Sequence, residues 1–487
     1  MKENEKPTIK LLVGPYLSAD WSDYMAGAFA DYDAKTFGPW EGADLKIDGL
    51  PSLEQILDLL PADWSPDLLL LWRPEYVYIP PGLETAPFPT AALVSDWYLA
   101  FSDSLEAAWR VDALVTGTRG ERIFRAAGFE NVVAMPMLGY QPDLDGRYAL
   151  PTADRNIDVF CGGNPNWIVH KERALVHAEL KKLSDQIRIH EGPLVDRVEF
   201  NRLMGRSRIF VNQTVIGEVN MKVYEATASG TCLFVEEDNL DIRNYLVPDE
   251  SVVLFNRANL NEKILYFLEH EEERAAIAER AKPLMAPFTY RRNMSAIVER
   301  LIGQDGLCVN PGPRPISELG PEEIAEGLAG YALRHNGEDP MAAVALCSAL
   351  KDGPRSLLLN TCAKYTVNYT AGHSSQWENS AILKSFAMAK AADPESLQAA
   401  YTWAKMATAY VAPMAQGALD DLERLLLGNC AVPFSSAGPY FGMDRNMRFV
   451  FQRTAWEALE AGQSMDEALR ALLLEDLNTM RKKTGES

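Results

Sequence analysis

The residues of greatest chemical promise in this sequence are Asn220, Lys222 and Glu225. They lie in the stretch 217–235, which reads as a helix, a tight stop and a buried strand. Asn220 suits an N-cap, because its side-chain oxygen can accept a free N–H of the first turn. Ala226 and Ala228 favour helix, and Gly230 suits the left-handed residue that ends one. Thr231 to Val235 is a short apolar run of the kind covered on both faces in a parallel sheet. Lys222 and Glu225 share a helix face near its N-terminus. A cation, a carboxylate and free helix N–H groups in one place suit a phosphorylated, hydroxyl-rich ligand. A surface ion pair on an ordinary helix is the alternative.

The order Asn220, Lys222, Glu225-Ala226 and Gly230 before an apolar strand resembles the signature of the CgeB-like (spore-coat type) group-1 glycosyltransferases. The resemblance implies a GT-B fold. This is an α/β architecture of two Rossmann-like lobes, followed here by an all-α C-terminal domain. It also implies metal-independent transfer of a hexose with retained configuration. By resemblance Glu225 contacts the nucleotide ribose and Glu218 lies near the donor sugar. Six residues separate the two here, where the wider family has seven.

The elements that must position these residues alternate. Apolar runs at 10–13, 67–72, 91–94, 112–117 and 132–135 read as strands, with helices at 52–60 and 119–127. Strands separated by helices imply crossovers and a parallel sheet. This half is therefore Rossmann-like, although it lacks a GxGxxG fingerprint. Gln141 to Arg155, rich in Pro, Asp and Gly, reads as the interdomain linker. A second unit follows, with strands at 157–160, 186–190, 207–211 and 251–255 and a long helix from Leu260 to Arg280. The order of elements resembles the CgeB-like family well over 155–302 and loosely over 65–145. The expected division is an acceptor lobe at 1–145, a nucleotide-sugar lobe at 146–302 and a helical extension at 303–487.

Gly162, Gly163 and Asn164 lie between a strand and a helix. A glycine turn there lets backbone approach a ligand, or simply joins the two elements. Lys171 and Arg173 in the next helix, with Lys222, would meet the charge of a leaving diphosphate, or lie on a solvated face. His190, followed by Glu191, ends a strand and fits either a place beside the base or the core. Asn212 ends another strand. The nucleotide-sugar set is thus Gly162, Gly163, Asn164, Lys171, Arg173, His190, Glu191, Asn212, Asn220, Lys222 and Glu225. The catalytic set is Asp96, Lys222 and Glu218. Asp96 ends a strand of the first half, where α/β sheets place their ligand crevice. It would orient or deprotonate an acceptor hydroxyl, or merely cap a turn. Trp21, Trp72 and Trp97 suit either stacking on an acceptor or the core. Asp31-Tyr32-Asp33 and Asp143-Leu144-Asp145 match a metal-holding DxD, but one comes early and the other falls in the linker. No metal and no cofactor is expected beyond a UDP-, GDP- or dTDP-linked donor.

Composition narrows the remaining classes. The net charge of −21 argues against a nucleic-acid partner and against docking onto anionic lipid. The charged N-terminus has no apolar signal core, and the densest apolar run, Leu68 to Trp72, is too short to span a bilayer. Six scattered cysteines without a CxxC have no metal spacing. These features describe a reduced, cytoplasmic protein. From Gly303 the chain turns alanine- and leucine-rich behind a proline linker at 311–315. Helical hairpins are expected, compatible with degenerate helical repeats although no fixed period is evident. Such a tail would have its own core, be dispensable for donor binding, and hold a protein or glycan acceptor, a protein partner or a second copy. Two other readings stay open: a non-catalytic GT-B-like scaffold whose tail binds a protein, and a nucleotide-sugar epimerase.

Overall fold

Lys10–Gly14 (β1) is apolar enough to be covered on both faces, and the first sheet is built outward from it. In the computed structural model the described residues are 8–15, 27–47, 51–75, 79–80, 82–83, 86–165, 167, 170–192, 196–308, 395, 397–410, 412–428, 431–432, 434 and 445–484. The sheet continues through Asp33–Gly38 (β2), Leu45–Lys46 (β3), Leu68–Trp72 (β4), Thr90–Leu93 (β5), Ala113–Thr116 (β6) and Val132–Ala134 (β7). All pairings are parallel, in the order β3-β2-β1-β4-β5-β6-β7. Alternate residues serve opposite faces, as the strand period of two requires. Leu12, Leu69 and Leu71 face one apolar cluster, and Leu11, Leu68 and Leu70 face the other. Crossover helices include Leu53–Leu57 (α1), Phe101–Arg110 (α2) and Thr118–Ala126 (α3).

The second sheet consists of Ile157–Gly162 (β8), Ile189–Gly192 (β9), Ser207–Asn212 (β10), Cys232–Glu236 (β11) and Val253–Phe255 (β12). It is also parallel, in the order β12-β11-β10-β8-β9. Lys171–Leu180 (α4), Arg197–Gly205 (α5) and Met221–Ala228 (α6) lie along the chain between its strands. The helix expected over 260–280 is two, Leu260–Glu269 (α7) and Glu271–Met285 (α8), with His270 leaving helical geometry between them at φ −103°, ψ 68°. Tyr290–Ile302 (α9) then crosses back and buries Met294, Ile297, Val298 and Leu301 against the first sheet.

The segment 141–155, which joins the first sheet to the second, is anchored at both ends. Asp145 is buried on Arg197 at 3.2 Å. Arg155 is buried too, donating to the carbonyls of Ser207 and Ser229 at 2.5 and 2.6 Å.

The described part of the tail comprises Leu397–Tyr410 (α10), Ala412–Leu427 (α11), Arg445–Glu460 (α12) and Met465–Lys483 (α13). It does not keep a core to itself, which corrects the expectation of an independent unit. Tyr401, Leu419, Phe451 and Leu473 belong to the same apolar cluster as Leu12, Phe101 and Phe124. The Trp97 and Trp456 rings meet edge-on at 5.5 Å. The side chain of Gln452 accepts from the Ser102 N–H and donates to its hydroxyl, both at 2.9 Å. Gln452→Ala strands that buried N–H and is expected to cost about 1–3 kcal/mol. A urea midpoint unchanged from the parent would contradict it. The proline linker at 311–315 lies outside the described residues.

Candidate active site

The two sheets face each other with the carboxyl ends of their strands, the position at which open α/β sheets bind ligands. Between them lies a cleft of about 710 Å³. The first lobe contributes Arg73 after β4, Ser95 and Asp96 after β5, Gly117 after β6 and Met135 after β7. The second contributes His170, Arg173, the loop from Thr214, and Asn220 to Lys222 at the start of α6.

One corner of the cleft gathers positive charge. Asn220 caps α6, accepting the Lys222 N–H at 3.2 Å, and exchanges hydrogen bonds with Asn212 at 3.2 and 3.3 Å. The capped helix end therefore points its dipole here. The Lys222 ammonium donates to the Gly162 carbonyl at 3.0 Å. Arg173 donates to the carbonyls of Gln213 and Asn164 at 3.0 and 3.3 Å. Gly163 has φ +132°, and a Cβ there would come within 2.7 Å of Lys222 Nζ and 3.1 Å of Arg173 Nη1. The positive φ favours glycine there, and a larger residue would push the two flexible cation ends aside. Neither cation forms an ion pair with a carboxylate among the described residues. Burial, and then the neighbouring Arg173, push the Lys222 ammonium down to about 8. Burial, and then Arg173, push His170 down to about 4, so its imidazole is neutral.

The facing corner is acidic and was only partly legible. Asp96 is held by Arg73 through a short ion pair and by the Tyr98 hydroxyl at 3.3 Å. Glu75 is buried behind them, accepting the N–H groups of Ser95 and Asp96 at 3.0 and 2.9 Å. Its burial pushes the carboxyl up to about 7 against the pull of Arg73. Arg73 itself has φ +51°, a strained conformation for a side-chain-bearing residue. No local pattern marks Arg73 or Glu75 in the sequence; their roles arise from the neighbouring strand β5.

Glu218 bridges the two lobes. Its carboxylate accepts the Trp97 indole N–H at 3.4 Å and lies over Gly117, where a Cβ would approach within 2.5 Å. The loop that carries it is tied by Glu236, which accepts a 3.0 Å hydrogen bond from Asn239, while Asn239 also donates to the Glu218 carbonyl at 3.2 Å. Burial, and next Asp241, push the Glu218 carboxyl up to about 8. Above its ordinary value and below about 8, the folded chain keeps a proton that the unfolded chain has released, so stability falls as pH rises through this window. Glu218→Gln cannot ionise and is expected to flatten that fall by up to about 1.4 kcal/mol per pH unit. Urea midpoints taken from about pH 5 to 8 measure it; an identical slope in parent and variant would contradict the buried, protonated carboxyl.

Of the expected site residues, the cleft is lined by Asp96, Arg173, Glu218, Asn220 and Lys222. Gly162, Gly163 and Asn164 lie behind Lys222 and Arg173, and Asn212 supports Asn220. The structure places the four remaining expected residues outside the lining of this cleft. Glu225, expected at the ribose, is buried beside Arg197 at 3.7 Å and does not line the cleft. Its burial, and next Asp145, push its carboxyl up to about 7. Lys171 is exposed and lines a second, smaller cavity instead. His190 packs edge-on to Phe160, with ring centres 5.5 Å apart, outside the cleft lining. Glu191 pairs with His177 at 3.3 Å, also away from the cleft. Helix α6 turns Lys222 and Glu225 in different directions, so one reaches the cleft and the other the core. Trp97 is fully buried, whereas Trp72 borders the cleft; Trp21 lies outside the described residues. Both DxD motifs are engaged structurally: Asp31 pairs with Arg291, Asp33 accepts from the Trp64 indole at 2.7 Å, and Asp145 pairs with Arg197. Among the described residues no helix is long and apolar enough to cross a membrane.

Two facing parallel α/β sheets with the cleft between their carboxyl edges, followed by C-terminal helices, constitute a GT-B architecture. Residues 148–299, the second lobe, match the family described as Glycosyl transferase-like. The lobe that carries Lys222 and Arg173 is thus glycosyltransferase-like in sequence as well as in fold. Solved structures similar to this chain include a glycosyltransferase from Rickettsia africae, 10% identical with a TM-score of 0.42 over 60% of this chain and 98% of that one. Another is the Anabaena protein HepE in complex with UDP-glucose, 14% identical with a TM-score of 0.43 over 60% and 99%. Sucrose-phosphate synthase from Thermosynechococcus elongatus is 10% identical, with a TM-score of 0.39 over 60% and 98%. No curated protein matches the sequence.

Proposed function

We propose that the protein is a CgeB-like glycosyltransferase that moves a hexose from a nucleotide-linked donor to an acceptor hydroxyl, without a metal and with retained configuration. The observation that carries this reading is the meeting of Lys222 and Arg173 over Gly163 at the capped start of α6, inside the interlobe cleft. Transfer forms a bond from the acceptor oxygen to the anomeric carbon and breaks the bond from that carbon to the diphosphate. The negative charge left on the diphosphate falls where two cations and a helix N-terminus already stand. Asp96, steadied by Arg73 and Tyr98 across the cleft, accepts the acceptor hydroxyl's hydrogen bond. The proton leaves to Asp96 or to the departing phosphate oxygen.

A thermal-shift screen of UDP-, GDP- and dTDP-linked glucose with the corresponding diphosphates tests the donor. A ligand at about a hundred times its Kd stabilises the native state by about 2.7 kcal/mol. No shift with any of them would sink the reading. Release of the diphosphate, followed by transfer to an acceptor, separates a transferase from a scaffold. EDTA is expected to leave turnover unchanged, since Lys222, Arg173 and α6 meet the phosphate charge. Activity lost to EDTA and restored by Mn²⁺ would overturn the metal-free route.

A further inference from the structure

A second cavity, of about 290 Å³, opens beside the cleft and shares Tyr98, His170, Arg173 and Thr214 with it. The tail adds one wall through Phe449, Arg453, Trp456 and Glu457 of α12, and Arg119 and Lys171 of the two lobes complete the lining. It is large enough for a small polar group. We propose that this cavity seats an anionic group, a phosphate or a carboxylate, on the acceptor, so that the C-terminal helices complete the active site. The inference rests on the donor reading of the adjoining cleft.

The charges around the cavity are distributed unequally. Arg119, Lys171, Arg173 and Arg453 converge on it from the first lobe, the second lobe and the tail. Arg173 is buried, and Arg119 and Arg453 are half-buried. Of the carboxylates in its lining, Glu172 and Asp238 are exposed, where water and salt screen them. Glu457 instead lies against Arg453, Arg119 and Lys171, and partial burial pushes its carboxyl up, so four cations meet one close carboxylate. The inner part is therefore positive. His170, on the shared wall, reports the same field: besides burial, Arg173, Lys222 and Arg453 all disfavour its protonated form. The tail is fixed in this position rather than loosely apposed. Arg119 pairs with Glu460 at 2.6 Å and stacks over Trp456 at 5.1 Å, while also donating to the Ile216 carbonyl at 3.1 Å. One arginine of the first lobe thus ties α12 to the loop that leads to Glu218. An acceptor anchored here by its charge would extend its hydroxyl into the cleft between Asp96 and the donor. Non-reacting parts of a substrate supply this kind of positioning energy.

The test uses the full chain and three probes, glucose 6-phosphate, glucuronate and glucose, titrated by calorimetry. Each is titrated with and without whichever of UDP, GDP or dTDP the parent binds. Both anionic sugars are expected to bind at least about tenfold tighter than glucose, with the nucleotide present or absent. A preference between them assigns phosphate or carboxylate. Arg453→Gln should weaken the anionic sugars about tenfold and leave nucleotide affinity within twofold, with Arg453→Lys recovering part of the loss. Lys171→Gln, at an exposed position, gives a second reading should the Arg453 variants fail to fold. Anionic sugars that bind no tighter than glucose, that compete with the nucleotide, or that ignore both substitutions overturn the proposal. If no nucleotide binds the parent while the anionic sugars still show this dependence, the donor reading fails and the anionic subsite stands.

Discussion

Lys222→Ala is expected to reduce kcat/KM for the donor by about 10²–10³-fold while leaving the fold intact. The ammonium stands at the capped start of α6, beside Arg173 and over Gly163, with the Gly162 carbonyl as its hydrogen-bond partner. Its charge is held there before any ligand arrives, so none of the stabilisation is spent on reorganisation. In binding alone, a charge-assisted hydrogen bond lost to alanine is worth about 1.5–3 kcal/mol. Stability should not suffer, because burying an ammonium without a carboxylate is a cost that alanine removes. The pH dependence gives a second readout. With Lys222 pushed down to about 8, the free protein loses this charge as pH rises through that value. The kcat/KM profile, which reports the free protein, should therefore bend downward near pH 8 in the parent. The residual activity of Lys222→Ala should lack that bend. A variant as active as the parent, or one with the same alkaline limb, removes Lys222 from the leaving-group site.

Ending the chain after Gly303 is expected to abolish soluble folded protein. Helix α12, backed by the other tail helices, packs on α2 and α3 of the first lobe over Trp97, Phe101 and Phe124, each fully buried. Uncovering large apolar side chains costs about 1.5–3 kcal/mol apiece. Three of them approach the about 5–15 kcal/mol by which a domain is stable at all. Further losses follow at the Ser102–Gln452 hydrogen bonds and the Arg119–Glu460 pair. Expression of the shortened chain with size-exclusion chromatography and dye binding to exposed apolar surface checks this. A soluble monomer that unfolds cooperatively within a few degrees of the parent would show that the tail is separable after all.

Local sequence determined the buried strands and the caps and turns at the positive corner of the cleft. Strands such as β4 and β10 are covered on both faces, so they appear as short unbroken apolar runs that need no knowledge of their neighbours. The N-cap Asn220, the helix after it and the glycine turn at 162–163 are likewise local events, although only the pairing of β8 with β10 brings Lys222 and Arg173 to the same place. What failed was whatever depends on a partner distant in sequence. The strand Asp33–Gly38, next to the edge, is polar and mostly half-exposed, so it has neither an apolar run nor alternation; it forms because β1 on one side and the two-residue β3 on the other pair with it. Buried Ser102 of α2 finds its hydrogen-bond partner only in Gln452 of α12, 350 residues away in sequence. Glu225 and Lys222 looked equivalent at three residues' spacing, but only the packed second lobe decides that one faces Arg197 in the interior and the other the cleft. Arg73 and Glu75 carry no motif; they acquire a role because parallel pairing of β4 with β5 sets their carboxyl ends, and therefore Asp96, side by side. Helix caps, turns and buried strands are written over a few neighbouring residues. Charge pairs across strands, lobes and a returning tail exist only once the chain has folded on itself.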